Sequence, residues 1–538
     1  MLLLLGLLPA LSGCAGRVKA YAPAERVTVD RRYIEYPTGM RLSRIAEGFT
    51  AATALAVGPD GMVYVADNGG RGDEVRITRI DPVSGDKAEI YPVRPRRVLA
   101  LFDARFRLYG PVGGMAVREG ELFISARDEN DDGLIVAFNL DAWNMDDPPP
   151  MRTVVGELPA RGDHSVTDLA VHPTTGRIYF GLGSATNSGV VGVDNWQSGW
   201  LRDHPGFHDR PLVDIKIGGY RFDTEDPAAG PLNPDKVNTA PFNPFRNSNQ
   251  RIAAAEGGKP TAAVYSVDPL GGDLRVEAHG LRHPRGLAFN EYGNLYASNQ
   301  GMELRGTRPV KDDPDVILRI PLSPSFGPIT IAPPATWFGW PDYSADLITI
   351  TDARFQPPAA MLGRTGYREL SPLIDYRETD LDVAERETFL AAVLPSLSGA
   401  SGIAFVPEDA DDPLEPYEGM LLVALRGDRA PFATSGLPLL EPVGYKVVVV
   451  DTERRMVRDF IYNIASTPDA ERELHRPIDI AFAPDGSMYL LDMGQMRLRN
   501  GRERFRPGTG QLYRLSPVDE PVPAATRATE SDEDDERD

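Results

Sequence analysis

One phrase recurs six times along the chain: an apolar triplet, a turn of the Pro-Asp-Gly kind, and an alternating strand that ends in a small or acidic residue. The copies are "LAVGPDGMVYVADNG" from Leu55, "MAVREGELFISARD" from Met115, "LAVHPTTGRIYFGLG" from Leu169, "LAFNEYGNLYASNQG" from Leu287, "IAFVPEDADDPLEPYEGMLLVALRG" from Ile403 and "IAFAPDGSMYLLDMG" from Ile480. Each reads as two antiparallel strands joined tightly, with Asp-Gly, Glu-Gly or Gly-Asn supplying the positive φ that such turns need. Most copies are followed by a third alternating strand, as in "VRITRID", "LIVAFNLD", "VILRIPL" and "YKVVVVD". A sheet that small buries its faces only against neighbouring units, so the repeats predict an all-β, six-bladed β-propeller with long loop insertions. The last copy is followed only by "GQLYRLS", whereas "YIEYPTGMRLSRIA" near the start has no blade of its own. The N-terminal strand is therefore expected to complete the final blade and close the ring. A seven-bladed ring with a degenerate blade hidden in an insertion is the alternative.

The propeller is expected to occupy residues 30–518 of the 538, with insertions at roughly 184–260 and 322–395. Residues 519–538, ending "ATESDEDDERD", read as a solvated acidic tail. With 78 acidic against 57 basic residues the net charge is -21, which sets the whole chain against nucleic-acid phosphates and anionic membrane surfaces. Contact with a membrane is expected only through a lipid. The opening "MLLLLGLLPALSGCAG" is an apolar run too short to span a bilayer, and its "LSGC" resembles the lipobox of bacterial lipoproteins. Residues 1–14 then read as a signal peptide with Cys14 as the lipidated residue, and the expected location is extracytoplasmic, in the periplasm or at the cell surface. Because Cys14 is the sole cysteine, the chain has no disulfide and no thiolate metal site or covalently attached c-type haem.

Chemistry in a propeller collects where loops following the inner strands converge on the central channel. His164 stands immediately before the inner strand "VTDLAVH", where a neutral imidazole can take a proton and Asp163 or Asp168 could orient it. A single loop histidine is more often structural than catalytic, so its company decides. "GDHSVTDLAVHPTTGRIYFGLGSATNSG", "AHGLRHPRGLAFNEYGNLYASNQG", "WFGWPDY", "GYKVVVVD" and "RPIDIAFAPDGSMYLLD", in that order, resemble segments of the glucose/sorbosone dehydrogenase family. These are six-bladed propellers that bind pyrroloquinoline quinone (PQQ) and Ca2+, and the resemblance runs from about residue 45 to 516.

The resemblance implies His164 as the base that takes a hydroxyl proton, beside Asp163, and Arg282 as the cation near the reactive quinone oxygen. It implies backbone carbonyls of Gly301 and Met302 as calcium ligands. Arg476, with Arg426 or Lys446, would pair with carboxylates of the cofactor, and Trp340 and Tyr343 would offer a stacking surface. The chain departs from the family at His283, where the family has asparagine, at Ile478, where close members carry a second arginine, and at Asp168, which replaces an arginine. The implied activity is oxidation of a sugar or polyol hydroxyl, with electrons passed to an external acceptor. Two further readings remain: a metal-dependent hydrolase of the lactonase kind, which would turn over lactones without an acceptor, and a non-catalytic extracytoplasmic propeller, in which His164 is dispensable.

Overall fold

The computed structural model describes residues 18–67, 73–92, 107–143, 150–227, 236–323, 335–408, 413–464, 474–499 and 502–518; the expected signal peptide with Cys14 and the expected acidic tail lie outside them. The repeat is visible at the level of single hydrogen bonds. In the first, fourth and sixth copies the turn closes through Gly61 N to the Gly58 carbonyl, Gly293 N to Asn290 and Gly486 N to Ala483. The three glycines share φ values of 76°, 76° and 77°, a left-handed conformation that costs a residue with a Cβ about 1 kcal/mol or more.

Six sheets result, whose inner strands are Ala54–Val57, Met115–Arg118, Val166–Val171, Pro284–Phe289, Ala400–Phe405 and Pro477–Phe482. Each inner strand touches the next and the last touches the first, so the sheets form a closed ring of six blades. The second strands, such as Val63–Asp67, Leu421–Leu425 and Met488–Asp492, are buried on both faces, which explains their nearly unbroken apolar sequences. Apolar side chains collect between blades rather than within them. A separate cluster fills each junction, from Ala54 and Tyr64 against Leu122 and Phe138 around to Leu491 and Leu512 against Leu55 and Val65.

Closure follows the sequence expectation. Met40–Phe49 pairs antiparallel with Gly510–Pro517, Leu42 opposite Leu515 and Ala46 opposite Leu512. The insertions lie inside blades. The first separates Ile178–Leu182 from Ala263–Val267, and carries two short helices and two two-stranded ribbons. The second separates Asp315–Ile320 from Leu390–Leu394, its partner in the fourth blade. Both therefore belong to the third and fourth blades, and among the described residues neither adds a seventh.

Candidate functional site

His164 is held by the turn that leads into Val166–Val171 and is only 7% exposed. Its Nδ1 lies 2.9 Å from the Ser184 carbonyl oxygen, which can only accept, so Nδ1 carries the proton and Nε2 keeps a lone pair. Burial, then the positive charges of Arg282 and Arg305, push the imidazole well below the ordinary histidine range. The ring is thus a neutral acceptor at physiological pH. Its orienting partner is the Ser184 carbonyl rather than Asp163 or Asp168.

Asp163 has a different task. Its carboxylate accepts from Trp200 Nε1 at 2.7 Å, from Asn195 and Ser198 at 3.2 Å, and from Arg305 at 2.7 Å. Burial alone would raise this carboxyl, but Arg305 and the hydrogen bonds outweigh it and hold it below the usual range. Asp168 points to the axis of the ring. It accepts the backbone N–H groups of Leu169 and of Leu287 in the next blade, and burial raises it to about 6.

Arg282 is 2% exposed; its Nε donates to the Asn187 carbonyl at 3.1 Å and one terminal nitrogen stands 3.3 Å from Glu303. That terminal nitrogen has no hydrogen-bond partner although it is sealed from water. Glu303 is gripped from three sides: Arg305 bonds it directly, while Arg282 and Arg429 stand at 3.3 and 3.9 Å. Burial works against its charge, yet these three cations keep its carboxyl well below the usual range. Arg305 also bonds Asp194 at 2.5 Å, joining the first insertion to the loop that follows Leu295–Asn299.

A small cavity opens beside this network, lined by Arg282, Gln300, Gly301, Glu303, Arg426 and Arg429 among others. Arg426 faces Glu503 at only 3.7 Å, and its Nε is a second sealed N–H with no partner. An arginine left with an unpaired buried donor is costly, and the natural complement of two such donors is an anion with planar carboxylate or carbonyl oxygens.

The remaining sequence-derived residues divide. Gly301 lies in the cavity wall, and the loop it opens is pinned by Asp315, which accepts from Gly301 N, and by Asp313, which accepts from Met302 N at 2.6 Å. A Cβ at Gly301 would lie 2.5 Å from the Pro314 carbonyl oxygen, so the tight loop requires glycine. Among the described residues no group of three or more His, Cys, Asp or Glu side chains could hold a metal ion. Arg476 is committed to the backbone: its guanidinium donates to the carbonyls of Arg426, Gly427 and Asp428 at 3.0 to 3.2 Å and thereby positions Arg426. Lys446 is paired with Asp459 at 2.6 Å on the outer strands of the fifth blade. Trp340 and Tyr343 belong to the apolar cluster under the second insertion, not to the arginine cavity, although Trp340 Nε1 shares the Asn187 carbonyl with Arg282.

Sequence reasoning missed Glu303, Arg305, Arg429, Glu503 and the binding role of Ser184. One signal was available. "QGMELRG" and "LRGDRA" both follow the second strand of a blade, the fourth and the fifth, and are equivalent by register.

These features define a six-bladed propeller with a neutral histidine and partly unpaired arginines buried at one mouth. No family model matches the chain, and no curated protein matches its sequence. Its fold is shared with several solved structures. The holo PQQ domain of pyranose dehydrogenase from Coprinopsis cinerea is 14% identical, with 90% of this chain and 98% of that one covered and a TM-score of 0.51. The family AA12 carbohydrate-active enzyme of Trichoderma reesei matches in its iodide structure at 13% identity, covering 91% and 99%, with a TM-score of 0.52. Its calcium structure matches at 14% identity, covering 91% and 98%, with a TM-score of 0.51.

Proposed function

We propose that the protein is a PQQ-dependent, calcium-requiring dehydrogenase that oxidises a sugar or polyol hydroxyl and hands the electrons to an external acceptor. The observation that carries this reading is a cavity lined by Arg282 and Arg426, each with a buried N–H that lacks a hydrogen-bond partner, linked to the neutral His164 through His283, which stacks on His164 and bonds the cavity residue Gln300. That donor set fits a planar anion bearing carboxylates and carbonyl oxygens, and therefore fits PQQ. Arg282, Arg426 and Arg429 would hold it, and the carbonyls of Gly301 and Met302 are the groups proposed for calcium, a hard cation suited to oxygen ligands. PQQ would supply the hydride acceptor. His164 Nε2 would take the hydroxyl proton as the C–H bond breaks, while the Ser184 carbonyl holds its Nδ1–H and keeps the ring in the accepting tautomer. Arg282 would place positive charge where negative charge develops, in a site from which burial excludes water. Supporting the reading, the PQQ domain of a sugar dehydrogenase shares this fold along nearly its whole length.

Anchorage outside the cytoplasm through lipidated Cys14 is part of the same proposal; Cys14→Ser would release the protein from the membrane fraction. No helix among the described residues is long and apolar enough to cross a membrane. The test of the activity is dye reduction by purified protein loaded with PQQ and Ca2+ across a panel of aldoses and polyols. Turnover that disappears in His164→Ala is expected, and no turnover with any substrate contradicts the reading.

A further inference from the structure

His283 stands where the resembled family has asparagine, and in the structure its ring stacks on His164, with centroids 4.1 Å apart and planes 24° apart. Its Nδ1 lies 3.0 Å from Gln300 Oε1. Gln300 Nε2 donates to the Ala400 carbonyl at 2.7 Å, which fixes the amide with its oxygen toward the histidine. Nδ1 of His283 therefore carries the proton and Nε2 the lone pair, the same tautomer as in His164. Neither Nε2 has a protein partner, and at 7% and 8% exposure neither ring is sealed. Gly183 makes the stack possible: a Cβ there would sit 2.4 Å from His164 Cβ and 3.1 Å from His283 Cδ2.

Two neutral rings stacked face to face, each with an acceptor nitrogen unclaimed by the protein, form an unusual surface. Burial pushes His283 well below the ordinary range, and His164 and the neighbouring arginines push it further, so the pair stays uncharged and each ring keeps its Nε2 acceptor. A ligand that satisfies both must bring two hydroxyl donors close together, which adjacent carbons of a polyol supply. We propose that His283 is a substrate-recognition residue that accepts a hydrogen bond from the hydroxyl next to the one His164 deprotonates, so that the site selects vicinal diols. This rests on the dehydrogenase reading for the identity of the first hydroxyl; the pairing of acceptors does not.

The test compares glucose with 2-deoxyglucose, in wild type and in His283→Phe, which keeps a ring in the stack and removes the lone pair. Both kcat/KM in dye reduction and affinity by calorimetry are measured, and His283→Met is read in the same way if the phenylalanine variant fails to fold. Wild type is expected to favour glucose about tenfold, the worth of one net hydrogen bond, and the variant to bring the ratio near unity. Equal handling of the two sugars by wild type, or an unchanged ratio in the variant, overturns the proposal while leaving sugar oxidation intact. If neither sugar is oxidised, the dehydrogenase reading is left to the wider substrate panel and the calorimetric arm decides diol recognition by itself. A calorimetric preference lost in the variant then upholds diol recognition, and no preference overturns it.

Discussion

At the scale of single residues, the site is governed by burial acting on charge. His164 and His283 are kept neutral because an imidazolium there would be desolvated among arginines. In the unfolded chain both titrate near 6.5, so below that pH the unfolded state binds more protons than the native state. Their contribution to stability is complete above about pH 6.5 and is lost as pH falls below it. The melting temperature is expected to drop between pH 7 and pH 5, and His283→Phe should flatten that limb. For activity the sign is the same in direction and different in position. The base form of His164 survives to lower pH than an ordinary histidine, so kcat/KM should hold below pH 6.5, and His164→Gln should cost about 100-fold to 10,000-fold in dye reduction at every pH. Glu303 offers a separate check. Its removal leaves Arg282 and Arg305 without their shared counter-charge, and Glu303→Leu should destabilise the protein by about 3–5 kcal/mol in denaturant unfolding.

At the scale of elements, the ring depends on one strand from each end of the chain. Ala46 lies in the interior of Met40–Phe49, opposite Leu512, and Ala46→Pro should weaken closure by about 3 kcal/mol or more, read as a lower melting temperature. This element was legible in the sequence because a blade one strand short and a strand without a blade are both visible in the repeat. The turns were legible for the same reason, since Pro-Asp-Gly and Tyr-Gly-Asn each announce a backbone conformation. His164 and Arg282 could be located because each adjoins an inner strand whose register the repeat sets. The charge network was not legible. Asp163 and Arg305 meet from 142 residues apart, and no local pattern distinguishes an arginine that keeps a free donor, such as Arg282, from one committed to backbone carbonyls, such as Arg476. Lys446 illustrates the converse: strand alternation places it, but its pairing with Asp459 depends on the neighbouring strand.

At the scale of the whole molecule, the axis of the ring carries its own charge problem. Asp168 and Asp479 project from opposite blades, each accepting a backbone N–H of the following blade, and Arg285 donates across to the carbonyls of Thr53 and Gly113. Burial raises Asp168 to about 6, and burial together with Asp168 raises Asp479 well above its ordinary 3.8. A carboxyl whose native pKa is raised favours the fold fully below its unfolded value near 3.8, and that contribution is lost as pH rises through the native value. The axial pair's contribution is lost as pH rises from about 3.8 through about 6, which overlaps the window in which the stacked histidines lose theirs as pH falls, so the two oppose each other there. Asp479→Asn removes part of that opposition and should steepen the fall in melting temperature between pH 7 and pH 5. The central claim concerns the arginine cavity, and one measurement reaches it most directly: titration of metal-stripped protein with PQQ and Ca2+, followed by visible absorbance, in wild type and in Arg426→Leu. The account expects saturable binding that the substitution weakens at least tenfold, with reduction of the bound quinone when an aldose is added. Saturating calcium with no binding by wild type would contradict it.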